Sequence, residues 1–308
     1  MKERLWLGLA AVTAVGGGVA VAAGPAAVQA PPPQRVHRHL SDIYVVDLVR
    51  RTSRKVTHAA NDVFYEWPAW SQTGDELAFQ GPACDECPAT IYLVGADGTG
   101  FRKIRAGVRP TYRPSWSPDG NRLMFVGGPD SAVYTVGADG SHPRRLTHDG
   151  VAHDRAVWSP RAGRIAYTVQ QPNGRWDIWI MHADGTHARP VTRTPGSESE
   201  PSWSPDGRRL AFTKEEPGRL AIWVVRTNGK DARRVSRGRF DDRTPAWSPT
   251  GDRIAFTRSV SRPTDRDVTY LMRPDGRVVG PVPIAVYRSS TPTWSPDGKR
   301  LAVASMAP

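Results

Sequence analysis

The sequence predicts an all-β chain, a six-bladed β-propeller with four antiparallel strands per blade and a ring closed by strands from both termini. Three observations predict it: a tryptophan-centred segment recurs six times, a second strand-and-turn motif follows its copies, and the two chain ends supply complementary half-blades. Composition agrees. The 308 residues can bury a sizeable core, and Gly 29 and Pro 28 with Trp 11 suit many turns set between large aromatics. No stretch after residue 30 carries convincing helical periodicity.

The recurring segment reads PAWSQTGDELAF at 68–79, PSWSPDGNRLMF at 114–125, AVWSPRAGRIAY at 156–167, PSWSPDGRRLAF at 201–212, PAWSPTGDRIAF at 245–256 and PTWSPDGKRLAV at 292–303. Its tryptophans (Trp70, Trp116, Trp158, Trp203, Trp247 and Trp294) are 46, 42, 45, 44 and 47 residues apart, the length of one four-stranded blade. Ser-Pro-Asp-Gly is a turn with a mechanism: Pro presets φ, Asp bonds nearby backbone, and Gly relieves crowding at the exit. An aliphatic follows each Trp by seven residues, from Leu77 to Leu301, and two further on comes Phe79, Phe125, Tyr167, Phe212, Phe256 or Val303. A spacing of two places both side chains on one strand face. Trp therefore ends strand A, the tetrapeptide turns, and strand B buries its apolar face.

Strand C is marked by Tyr92, Tyr134, Trp179, Trp223 and Tyr270, each followed five residues later by Asp97, Asp139, Asp184, Asn228 or Asp275 and then Gly. A short strand D ends in pairs such as Leu146-Thr147. Residues 41–57 read as strands C and D alone, with Tyr44 as the sixth strand-C aromatic, and residues 292–305 read as A and B alone. The halves complement, so the sixth blade is expected to join both termini and hide the sheet edges.

These segments resemble the WD40-like Pro-Asp β-propeller repeats of the TolB family, whose type member is the periplasmic propeller protein of the Tol–Pal envelope system. The likeness covers about residues 41–305. Blade one departs with Ser71-Gln72-Thr73-Gly74 and blade three with Arg161-Ala162-Gly163, and both still permit a turn. TolB proteins carry an α/β domain ahead of the propeller, for which the first 40 residues leave no room, so the resemblance is to the propeller alone. It implies an exported, protein-binding module of the cell envelope.

The N-terminus reads as an export signal, with Lys2 and Arg4 before an uncharged, largely apolar run from Leu5 to Ala23. Residues 1–30 are expected to be a cleaved signal peptide or, uncut, an N-terminal anchor; residues 31–40 form a Pro-rich linker and 41–308 the propeller. The expected location is extracytoplasmic. Cys84 and Cys87 stand as C-x-x-C, which outside the cytoplasm reads as a small loop disulfide; half of a zinc site and a redox pair are the alternatives. The net charge of +12, with 42 Lys+Arg against 30 Asp+Glu, is spread rather than clustered. It fits a solvated Arg-rich surface or peripheral attraction to anionic surfaces. No nucleic-acid partner is expected, since no basic groove motif occurs. A monomer without cofactor or metal is expected.

Strand alternation places the short A–B and C–D turns on one face of the disc and the variable B–C and D–A loops on the other, where recognition belongs. Residues just ahead of strand A should ring the channel mouth there: Glu66, Tyr112, Asp154, Glu200, Asp242 and Arg243. Converging carboxylates would suit a cation or a basic peptide; solvated loop charges at a watery funnel are the other reading. His58 and His148, and His142 and His187, recur in repeat phase, which argues structure rather than catalysis. No G-x-S-x-G nucleophile elbow occurs. Two functions follow: a protein-binding or scaffolding module acting through its variable-loop face, which is not an enzyme, or a polysaccharide lyase or hydrolase with its active site at the channel mouth.

Overall fold

The computed structural model describes residues 41–58, 63–81, 89–161, 163–260, 266–282 and 287–306. The expected signal segment, the linker, and Cys84 with Cys87 lie outside the described residues. Among the described residues there is no helix, hence none long and apolar enough to cross a membrane.

Six four-stranded antiparallel sheets form, one per repeat. In blade three, strands A to D run His153–Trp158, Arg164–Gln170, Trp176–His182 and Arg189–Pro190. The sixth sheet is the expected composite. Strand Ser41–Asp47 lies between Arg300–Met306 and Thr52–Lys55, in register from Ser41 opposite Met306 to Asp47 opposite Arg300. Closure thus rests on a seven-pair ladder between residues more than 250 positions apart.

The repeat sets the register. Trp70 faces Leu77, and Trp116, Trp158, Trp203, Trp247 and Trp294 face their aliphatics in the same way. Each Trp, its aliphatic and its aromatic pack on the preceding blade, so the core is six clusters between blades rather than one centre. Trp116, Leu123 and Phe125 lie on Ala78, Ile91 and Leu93 of blade one. Trp70, Leu77 and Phe79 lie on Ile43, Val45 and Ala302 of the composite blade, which seals the ring. Phe79, Leu77 and Ile43 are wholly buried, and each such side chain contributes about 2 kcal/mol of transfer free energy.

The turn face is held by one hydrogen-bond pattern. In blade two the Ser117 carbonyl accepts from Gly120 N at 2.9 Å, Ser117 Oγ donates to Asp119 Oδ1 at 2.5 Å and accepts from Arg122 N at 3.0 Å. Ser204 with Asp206 and Ser295 with Asp297 repeat it. The C–D turn locks onto the A–B turn of its own blade, as Ala138 N does on the Asn121 carbonyl at 3.0 Å. Glycine is required where that turn meets the previous blade: Gly276 has φ +95°, and a Cβ there would stand 2.2 Å from the Val235 carbonyl oxygen.

On the opposite face, B–C and D–A segments meet through bonds such as His153 N to the Ser131 carbonyl at 3.0 Å and Thr111 N to the Ala89 carbonyl at 3.0 Å. The two-faced division expected from strand alternation is present.

Candidate functional site

Every strand A carries a bulge, which falls between the residues four and one ahead of its Trp in five blades and between those five and two ahead in blade three. The residue three ahead of Trp is Trp67, Arg113, Arg155, Glu200, Thr244 or Thr291. In the five blades where proline follows, it has φ between 49° and 57°, a left-handed conformation that bulky residues rarely hold. Arg155, followed by Ala156, is not among them. The bulge turns this position towards the axis, and Trp67, Arg155, Glu200, Thr244 and Thr291 line the channel at its narrowest point.

Three cavities run in series through the disc. A mouth of about 320 Å³ opens on the loop face, lined by Glu66, Trp67, Glu200, Arg243 and Asp267 among others. It shares Trp67, Glu200, Thr244 and Thr291 with a neck of about 10 Å³, room for roughly one water. The neck shares Arg155, Pro245 and Pro292 with a funnel of about 490 Å³, walled by the six strand-A tryptophans and the prolines beside them and opening between the A–B turns.

At the neck Trp67 is stacked by two guanidinium groups, Arg113 at 4.0 Å and Arg155 at 4.9 Å from the ring centre. Arg113 is also paired with Asp154 at 2.5 Å. Glu200 accepts from Thr213 Oγ1 at 2.7 Å and from Thr244 N at 2.8 Å, which ties blade four to blade five. Arg243 pairs with Asp267 and donates to Ser259 Oγ at 2.6 Å. Burial pushes the Glu66 carboxyl up, against the pull of Arg113. Asp154 is also raised: its burial outweighs the opposing Arg113 and Arg155 charges, and Glu200 adds to the rise. Burial, then the Arg113 charge, brings Arg155 down to about 10 against the carboxylates of Glu200 and Asp154, so it stays a cation at neutral pH.

The structure gathers the six expected mouth residues only in part. Glu66, Glu200 and Arg243 line the mouth together. Asp154 lies one residue from the neck and is committed to Arg113. Tyr112 stands opposite Val126, half-buried and away from that lining. Asp242 departs most. It lies five positions ahead of Trp247, on the inward strand face, 2 % exposed and bidentate with Arg258 at 2.6 and 2.8 Å. Trp67, Arg113 and Arg155 were not among the expected residues, and the signal that marks them is their place three residues ahead of the recurrent Trp, before a proline or, for Arg155, an alanine.

The five-ahead position is buried in every blade for which it is described: Tyr65, Thr111, His153, Glu198, Asp242 and Ser289. His153 bonds Asp149 at 3.2 Å, and Ser289 Oγ accepts from Thr269 N at 2.9 Å. Glu198 is fully buried, hydrogen-bonded by Thr194, 3.9 Å from Lys214 and against Asp177. Burial lifts it to about 7, with the neighbouring Asp177 adding to the rise, and burial raises Asp177 as well. Among the described residues no three His, Cys, Asp or Glu side chains gather as a metal site.

The fold matches those of known proteins. A TolB of Acinetobacter baumannii superposes with TM-score 0.65 at 17% identity over 83% of this chain and 66% of its own. A protein assigned as TolB from Agrobacterium tumefaciens does so with TM-score 0.73 at 24% identity over 87% of this chain and 98% of its own. The architecture extends to an oligogalacturonate lyase of Vibrio parahaemolyticus, with TM-score 0.54 at 10% identity over 86% and 97%. At these identities the likeness is one of fold. No curated protein matches the sequence. The model of the TolB beta propeller domain matches residues 35–173 and 158–270, most of the chain, and the chain belongs to that family.

Proposed function

We propose that this chain is an extracytoplasmic binding or scaffolding module that engages a protein or peptide of the cell envelope through its variable-loop face, without catalysis. The observation that carries the reading is the mouth cavity. Its lining mixes Glu66, Glu200, Asp267, Arg243 and the strained Trp67 on a rigid ring, a set that suits recognition of a polypeptide with both charge signs and an apolar anchor. Crosslinking in the native envelope would identify the partner. Glu66→Ala and Glu200→Ala should then weaken its binding about tenfold with little change in melting for Glu66→Ala. Substitutions at the exposed Asn121, Arg208 and Lys299 of the turn face should leave binding alone. The reverse pattern would overturn the assignment.

Glu66 also favours a second reading. A carboxyl raised by burial beside Arg113 is a candidate general acid, and a propeller of this shape serves an oligogalacturonate lyase. Release of unsaturated oligogalacturonides, abolished by Glu66→Gln, would establish that reading.

A further inference from the structure

The funnel on the turn face differs from the mouth in the charge of its lining. Two arginines line it, Arg155 at its floor and Arg161 at its rim, and no carboxylate does among the described residues. Both come from blade three, which departs from the repeat at both places. Arg155 is the only three-ahead residue followed by alanine rather than proline. Arg161 stands where Asp119, Asp206 and Asp297 hold the turns of other blades.

Neither guanidinium has a hydrogen-bond or ion-pair partner among the described residues. Arg155 is held by its face on Trp67, which leaves its edge N–H groups unused. The nearest carboxylates are committed elsewhere, Asp154 to Arg113 and Glu200 to Thr213 and Thr244. The same wall holds two buried indole N–H groups with no acceptor, those of Trp116 and Trp158. Equivalent tryptophans are satisfied by a neighbouring blade's carbonyl, as Trp203 is by Val157 at 3.1 Å and Trp294 by Ala246 at 2.9 Å. One side of a ligand-sized cavity walled by indole and proline rings thus carries two guanidinium groups and no carboxylate among the described residues.

We propose that the funnel is a second binding site, on the face opposite the mouth, for a carboxylate carried on an aromatic or apolar body. The carboxylate meets the edge of Arg155 at the floor, the body lies against the Trp and Pro walls, and Arg161 closes the rim from the same blade. A free aryl acid and the C-terminal carboxylate of a short peptide offer this chemistry alike.

Titration of the full chain, followed by calorimetry and by fluorescence of the funnel tryptophans, tests it. The probes are indole-3-acetate, its neutral amide, and a tetrapeptide ending in Trp with a free or an amidated C-terminus. The free acids should bind saturably and the amides at least about tenfold more weakly, the worth of a charge-assisted contact. Saturation by indole-3-acetate alone marks a small acid as the ligand, and saturation by the peptide acid as well marks a chain terminus. Arg155→Met should remove most of the acid preference, Arg155→Lys should keep part of it, and Arg161→Met should weaken binding about threefold. Arg226→Met, at an exposed pair with Asp231, should change nothing. Equal binding of acid and amide, or no saturable binding of either acid, overturns the proposal. If Arg155→Met melts early, the acid–amide comparison on the unaltered chain still decides it.

Discussion

The two faces of the disc solve the same problem in opposite ways. On the turn face, blades two, four and six close their A–B turns with the same Ser-to-Asp and Ser-to-backbone bonds, at distances that agree within about a tenth of an ångström. On the loop face, the buried five-ahead position is Tyr, Thr, His, Glu, Asp or Ser, and Thr111, His153, Glu198, Asp242 and Ser289 each bond a different partner. A hydrogen-bonded turn works only with the residues that make it, so it is repeated. A buried polar group needs only some partner, so its chemistry is free to differ between blades. The variable face can therefore acquire function without dissolving the ring.

The largest expected effect tests the ring itself. Deleting 292–308 removes Arg300–Met306, the strand that the N-terminal half-blade pairs with, and the Trp294 end of the strand beyond it, and calorimetry should show loss of the cooperative transition. A truncated chain that melts as sharply as the whole would deny closure its role.

Next comes Asp242→Ala, which leaves Arg258 charged at 7 % exposure; a urea titration should show about 3 kcal/mol lost. Replacing both, as Asp242→Leu with Arg258→Met, should recover most of it, because the pair repays its own desolvation poorly.

Glu198→Gln should act in the other direction and depend on pH. Its carboxyl is raised from 4.5 to about 7 in the folded state, so the native chain holds a proton that the unfolded chain has released. Stability from this group is full below about pH 4.5 and is lost as pH rises towards 7. The variant should therefore gain about 2 kcal/mol on the native chain at pH 8 and nothing at pH 4.5, read as melting temperature across the range. A constant offset would mean that folding does not raise the Glu198 carboxyl.

The smallest effect sharpens the uniformity of the turn face. Asp119→Ala, Asp206→Ala and Asp297→Ala remove the same bonds and should each cost about 1 kcal/mol, with values that agree. Divergent values would show that position in the ring matters as much as the local bonds.

The blades were legible because period, turn chemistry and strand alternation agree at each repeat, and the half-blades at the ends could be paired by inspection. The channel was legible only in part. Counting acids ahead of strand A ignored phase. Asp242 at five ahead and Glu200 at three ahead look alike in sequence, yet a strand turns successive side chains to opposite faces and the bulge shifts the alternation once more. Trp67, Arg113 and Arg155 were visible only as residues ahead of a repeated Pro-or-Ala position, whose bulged backbone sequence spacing does not announce. The Glu198–Asp177 pair joins residues of neighbouring blades, and nothing local marks it.

The composite blade has a mechanical consequence. Ser41 and Met306 lie opposite each other at one end of the antiparallel ladder that closes the ring. Tension between the chain's two ends therefore loads that ladder at a single pair and peels it bond by bond towards Asp47 and Arg300, instead of shearing all seven pairs together. A molecule that resists heat as a closed ring would still yield, under a pull on its termini, like a zip opened from its end.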